Sequence, residues 1–211
     1  MNITGVLGGT FDPIHFGHLR MAQELADALN LSEVRFIPAA QPPHRSQPVT
    51  SAMHRAAMVS LAIAGNPQFR LDERELQRSG PSYTRDSLQS LSDELGRDAS
   101  ICLFLGSDAF VKFNTWHRWN EILSLCHIAL VERPATKETL PQELQNILRD
   151  HYTENVTDFS SVAAGFITMR KITALDISAT RIRNSLQQNV SPRYLMPDNV
   201  IDYIRLHHLY R

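Results

Sequence analysis

His15 and His18, three residues apart, close a segment that begins with two glycines and a threonine: Gly8-Gly9-Thr10-Phe11-Asp12-Pro13-Ile14-His15-Phe16-Gly17-His18. Residues at that spacing share one face if a helix has begun. Two imidazoles so placed can donate to the oxygens of one polyphosphate and stabilise the charge that grows on a leaving pyrophosphate. Gly8 and Gly9 let backbone N–H groups approach a phosphate closely, and a helix starting near Gly17 adds its positive end. Gly17 itself leaves room for a base or sugar against the backbone. The spacing matches neither G-x-G-x-x-G nor G-x-x-x-x-G-K-[ST], so both the dinucleotide fingerprint and the P-loop fail. A metal pair or two satisfied structural histidines are the alternatives. Zinc wants a third or fourth soft ligand, and no Cys or His with suitable spacing lies nearby, so no metal ligand is assigned.

A second cluster lies far downstream, where Ser178, Thr180 and Arg183 form I-S-x-T-x-x-R with Ile177, and Arg181 stands beside them. A helix start carrying hydroxyls and a guanidinium is an anion site, because unpaired N–H groups and fixed positive charge converge there. A capped surface helix with solvated arginines is the plainer alternative. Asp108, after Gly106-Ser107, reads as a structural cap, or as an acid suited to a ribose hydroxyl or hydrated magnesium. Trp116 and Trp119 stand at helical spacing, which suits core aromatics as well as a stacking platform.

Strand-length apolar runs alternate with helical patterns from end to end, which predicts an α/β fold: a Rossmann-like, doubly wound, mostly parallel sheet with helices on both faces. Strands are expected at 3–7, 34–38, 69–71, 101–105, 127–131 and 166–172. Leu19, Ala22, Leu25, Ala26 and Leu29 mark one face of the first helix. Further helices are expected at 51–64, at 82–95 closed by Gly96, at 141–149, after Ser178, and at 197–209 with Val200, Ile201, Ile204 and Leu209 inward. Residues 39–50, rich in proline and polar groups, read as a loop at a strand's carboxyl end. Gly106-Ser107-Asp108 reads as a ligand-side turn. No repeat or linker interrupts the chain, so residues 1–211 are expected to form a single domain.

At 43% hydrophobic and 20% charged, the 211 residues have an ordinary globular composition. The formal net charge of -1 draws the chain toward neither nucleic acid nor anionic membrane, so a polyanion must be held by a local cluster. Cys102 and Cys126 sit in apolar runs and read as buried core thiols. With no leader-like start and no apolar run of about 20 residues, the cytoplasm is the expected location.

GGTFDPIHFGH resembles the nucleotidyltransferase signature whose core is His-x-Gly-His, and the second cluster is similar to that superfamily's second motif, which closes over the β and γ phosphates. Between them, Pro42-Pro43-His44-Arg45, Pro81-Ser82-Tyr83-Thr84, Gly106-Ser107-Asp108, Thr115-Trp116 and Arg133-Pro134 occur in an order that resembles the bacterial nicotinate-nucleotide adenylyltransferases over essentially the whole chain. The pattern departs from that family at Ala39-Ala40 and at Glu132.

The resemblance implies adenylyl transfer from ATP to nicotinate mononucleotide, giving deamido-NAD and pyrophosphate, with Mg²⁺ bound through the ATP phosphates. It assigns catalysis to His15, His18 and Thr10. ATP would be held by Gly8, Gly9, Thr10, Phe11, His15, Gly17, His18, Gly106, Asp108, Ile177, Ser178, Thr180 and Arg183. The acceptor would be held by His44, Tyr83, Thr84, Trp116 and Arg133. The oligomeric state, monomer or small homo-oligomer, is left open. Rival readings are the same chemistry on another phosphate acceptor, with ATP or CTP, and a nucleotide-binding regulator without turnover.

Overall fold

The structure is a computed structural model that describes residues 2–42, 48–96, 99–132, 139–173 and 175–211. In chain order the elements are β1 (Ile3–Gly9), α1 (Phe16–Ala28), β2 (Glu33–Pro38), α2 (Ala52–Ile63), β3 (Phe69–Leu71), α3 (Thr84–Leu95), β4 (Ser100–Gly106) and α4 (Ser107–Phe110). Two 3-10 turns follow, Phe113–Thr115 and Trp119–Ser124. The chain continues with β5 (His127–Val131), α5 (Gln142–His151), α6 (Asp158–Ser161), β6 (Ile167–Arg170), α7 (Ala179–Gln187) and α8 (Asp198–Leu206).

The strands form one six-stranded sheet in the order β3-β2-β1-β4-β5-β6, and every pairing is parallel. A parallel sheet is covered on both faces, which is why β1, β4 and β5 read as unbroken apolar runs. Alternation along β4 assigns the faces. Cys102 and Phe104 pack with α1, α2 and α8 through Leu25, Met58 and Ile201, whereas Ile101, Leu103 and Leu105 pack with α3 and α5 through Leu88, Leu91 and Leu144. Each such fully buried side chain contributes about 1.5–3 kcal/mol of apolar burial. Helices on both faces are thus the expected doubly wound arrangement.

Local signals explain most element ends. Ser51 caps α2 by accepting from the His54 N–H at 3.3 Å, and Gly96 ends α3 at a φ of 91°, a conformation glycine takes without steric cost.

Four expectations are corrected. The last strand covers Ile167–Arg170 rather than 166–172. Gly106 is followed not by a turn but by the short helix α4, of which it is the N-cap. The third helix begins at Thr84 rather than Ser82, because Ser82 gives its hydroxyl to the preceding loop, accepting from the N–H groups of Ala40 and Gln41. In the C-terminal segment Leu209 is only half-buried, and Tyr210, 4% exposed, takes the inward place beyond α8. No described helix is long and apolar enough to cross a membrane.

Candidate active site

Strand order reverses between β1 and β4, and in an open parallel sheet ligands gather beyond the carboxyl ends of the strands at that point. Register sets those ends side by side: Gly9 pairs with Pro38, and Gly106 with Val131. The turn holding Thr10, the loop after β2, the start of α4 and the segment after Val131 therefore leave the sheet on one side. A Cβ at Gly8 would meet nothing within 4 Å, so no packing demand accounts for that glycine. At Gly9 a Cβ would stand 3.1 Å from the Phe11 ring.

The turn into α1 is tightly determined. Phe11 holds a left-handed backbone, φ 50°, which a bulky residue adopts only when its surroundings compel it. Its buried ring packs edge-on against His18 at 5.1 Å and against Phe36 at 6.1 Å. Phe11 thus supports the site through packing, and its side chain offers no polar contact to a nucleotide. His15 is the N-cap of α1, and its own N–H donates to His18 Nδ1 at 3.3 Å. With Nδ1 accepting, a neutral His18 ring carries its proton on Nε2, which makes that nitrogen the donor.

The two imidazoles stack at 3.8 Å between centroids. Gly17 makes this stack possible, because a Cβ there would lie 3.0 Å from His15 Cε1 and Nδ1. The space expected at Gly17 for a base or sugar is thus shared with the His15 ring.

The second cluster is brought to the first. Ile177 stands 3.8 Å from where a Gly17 Cβ would be. Arg183 Nη1 donates to the main-chain oxygen of Asp12 at 2.7 Å, and its Nη2 donates to Thr180 Oγ1 at 3.2 Å. Ser178 caps α7 by accepting from the Arg181 N–H at 3.2 Å. Arg181 turns aside to Asp176, so Arg183 is the cation joined to the first motif. Both hydroxyl residues, Ser178 and Thr180, are exposed.

On the far side of β2, Ser82 joins the 39–42 loop to the start of α3. Tyr83 stacks on His117 at 4.1 Å and 24°. Trp116, half-buried, presents its edge to Phe113 at 5.5 Å. Thr84 opens α3, so the N–H groups of its first positions, Thr84 and Arg85, have no acceptor earlier in the helix, whereas those of Asp86 and Ser87 already bond the Tyr83 carbonyl. The start of α3 thus meets the 3-10 region through Tyr83 and His117, the neighbour of Trp116 in the chain and a partner that spacing alone does not reveal. Asp108 is exposed in the first turn of α4. His44 and Arg133 lie outside the described residues, as does Arg45.

Three further residues organise the site. Asp12, 5% exposed, accepts from the Val49 N–H at 2.8 Å through Oδ2 and from the Tyr210 hydroxyl at 2.6 Å through Oδ1. Arg55, 1% exposed, donates to the carbonyls of Thr10 at 2.6 Å, Thr50 at 3.1 Å and Ala40 at 3.4 Å. Burial lowers the Arg55 guanidinium from its usual range, and the neighbouring Asp12, Tyr210 and Glu75 oppose that shift. Burial raises the Tyr210 phenol, and its bond to Asp12 adds to the effect, so the hydroxyl stays a donor. A charged residue among the apolar positions of helix 51–64 was a signal for Arg55; Tyr210, beside the chain end, offered none. Among the described residues no group of three or more His, Cys, Asp or Glu side chains is set to hold a metal ion.

A doubly wound sheet with His-x-Gly-His at its switch point, tied to a second anion-facing helix start, is the build of a nucleotidyltransferase, and residues 6–185 match the family model described as cytidylyltransferase-like. Curated relatives named Probable nicotinate-nucleotide adenylyltransferase include those of Dechloromonas aromatica, 47% identical over 98% of this chain and 97% of its own, and Pseudomonas entomophila, 46% identical over 98% and 94%. The chain belongs to the nicotinate-nucleotide adenylyltransferase family. Its fold is also that of the Plasmodium falciparum nicotinic acid mononucleotide adenylyltransferase complexed with NaAD, with a TM-score of 0.75, 19% identity and coverage of 100% of this chain and 98% of that one.

Proposed function

We propose that this chain transfers AMP from ATP to nicotinate mononucleotide, releasing pyrophosphate and forming deamido-NAD. The observation that carries the reading is the meeting of the His15–His18 stack and the α7 start, joined by the 2.7 Å bond from Arg183 to the Asp12 carbonyl. Membership of the family, at 47% identity over nearly the whole chain, supports the choice of acceptor.

In this reading an oxygen of the acceptor's 5′-phosphate attacks the α-phosphorus of ATP in line. The bond from α-phosphorus to the bridging oxygen breaks, and its electrons leave on pyrophosphate. No protein nucleophile takes part, so catalysis is positioning and charge neutralisation. His18 donates from Nε2 to the phosphate undergoing transfer, with His15 behind it, and Thr10 contacts the reacting phosphate. The N–H groups of Gly8 and Gly9 and the turn at Phe11 receive the triphosphate, Gly17 keeps the imidazoles close, and Ile177, Ser178, Thr180 and Arg183 close over the β and γ phosphates. Gly106 and Asp108 would serve ATP as well, Asp108 being suited to a ribose hydroxyl or hydrated magnesium.

Trp116 stacks on the pyridine ring, and backbone N–H donors at Tyr83 and Thr84 receive the carboxylate. His44 and Arg133 are proposed as acceptor-phosphate ligands on the family resemblance alone. Mg²⁺ suits the site as a passenger on the ATP phosphates, because both Asp12 oxygens are already engaged with Val49 and Tyr210. Bound there, it would neutralise charge on the triphosphate.

Pyrophosphate release with ATP or CTP and a panel of acceptors tests the proposal. Turnover is expected with ATP and nicotinate mononucleotide, and competition with nicotinamide mononucleotide measures the preference. Activity confined to CTP would overturn the reading, as would ATP binding with no pyrophosphate release at saturating acceptor.

A further inference from the structure

Tyr210, beyond α8, is 4% exposed, and its hydroxyl ends on Asp12 in the β1–α1 turn. The contact is a 2.6 Å hydrogen bond to a carboxylate that is itself 5% exposed.

Asp12 is where the site's separate segments meet. Its Oδ2 accepts from Val49, at the end of the loop that follows β2. Its main-chain oxygen accepts from Arg183 of α7. On the adjoining side the buried Arg55 holds the Thr10 carbonyl, together with those of Ala40 and Thr50. A buried carboxylate needs its hydrogen bonds, since losing one partner leaves an acceptor unsatisfied and drives it to seek another. Movement of Asp12 would carry Arg183 and the Thr10 turn with it.

We propose that Tyr210 is a positioning residue for adenylyl transfer: its hydroxyl fixes the Asp12 carboxylate, and through Asp12 it fixes Arg183 and Thr10 against the triphosphate. The proposal rests on the reading of Arg183 and Thr10 as triphosphate ligands. It makes the segment after α8 part of the catalytic apparatus, although Tyr210 itself touches no substrate.

Tyr210→Phe keeps the ring and its packing while removing the hydroxyl. At a temperature where circular dichroism finds the variant fully folded, kcat is expected to fall about tenfold, because small displacements of phosphate-binding groups act on turnover. The KM values for ATP and acceptor should move by much less. A merely structural role would lower the melting temperature and leave kcat per folded molecule intact. Asp12→Asn, which preserves the shape of the side chain and removes its charge, is read in the same way if Tyr210→Phe does not fold. Either variant, folded and with kcat within twofold of wild type, overturns the proposal. Arg183→Ala is measured alongside: unchanged kcat there overturns both the triphosphate reading and the proposal, whereas an impaired Arg183→Ala beside an unimpaired Tyr210→Phe overturns the proposal alone.

Discussion

The donor role proposed for His18 rests on the bond at its other nitrogen. Because Nδ1 accepts the His15 N–H, the proton sits on Nε2, and the donor is oriented before any nucleotide arrives. A preorganised donor of this kind commands roughly 100- to 1,000-fold in kcat. His18→Ala should therefore lose about that factor in steady-state pyrophosphate release, and wild-type turnover would sink the assignment. Gly17 offers a sharper separation of fold from function. In Gly17→Ala the new methyl would lie 3.0 Å from the His15 ring, which must yield by a few tenths of an ångström. Alanine is also the better helix residue by about 0.5–1 kcal/mol. The expected outcome is a melting temperature no lower than wild type's with kcat down on the order of tenfold. A variant that keeps full turnover would mean that the histidine stack is not needed in this form.

At the scale of elements, β5 illustrates how a titratable group can be built into a core. The His127 ring packs against both Phe159 and Phe166, with centroids 4.3 and 5.7 Å away. Its Nδ1 accepts from the Phe166 N–H at 3.0 Å, which leaves Nε2 to donate to the Val162 carbonyl at 3.1 Å. Burial holds its pKa below the ordinary imidazole value, against the opposing effect of the carbonyl acceptors. Unfolding returns the ring to about 6.5. Below that pH the unfolded chain binds the extra proton first, so this contribution to stability is intact above about pH 6.5 and is lost as pH falls toward the lower folded value, by up to about 1.4 kcal/mol per unit. Glutamine can accept and donate but does not titrate. Urea unfolding should accordingly show the stability gap between wild type and His127→Gln narrowing from about pH 8 to about pH 5.5; a gap independent of pH would refute the role.

The strand that carries this histidine was legible as the run 127–131, as was β4, because both faces of a parallel strand are apolar. The short helices α4 and α6 and the two 3-10 turns were not, since their few residues are held by contacts of Phe110, Phe113, Ile122 and Phe159 with distant elements. A similar divide runs through the site. His15 and His18 announce themselves by spacing, whereas Arg55 and Tyr210 act on partners 45 and 198 residues away: a lone charge among apolar helix positions marks Arg55 without naming its partners, and nothing local marks Tyr210.

For the molecule as a whole, the central question is whether the two faces of the sheet open together. Cys102 packs on the face of α1, α2 and α8, and Cys126 packs on the other face, with α3 and α5. Both are 0% exposed, and burial raises both thiols well above their usual range, so neither is a nucleophile in the folded chain. They are natural reporters, one for each layer. Because β1 and β4 belong to both layers at once, losing either layer strips one side of the same central strands and exposes their apolar residues to water. The faces should therefore unfold as one cooperative unit. Thiol labelling in mild urea, followed by mass spectrometry of the two peptides, should give opening free energies for Cys102 and Cys126 that agree within about 0.5 kcal/mol and approach the global value. If Cys126 labels at a clearly lower opening energy, the α3–α5 layer detaches while the layer carrying α1 and α8 persists, and the chain is two cooperative units sharing one sheet.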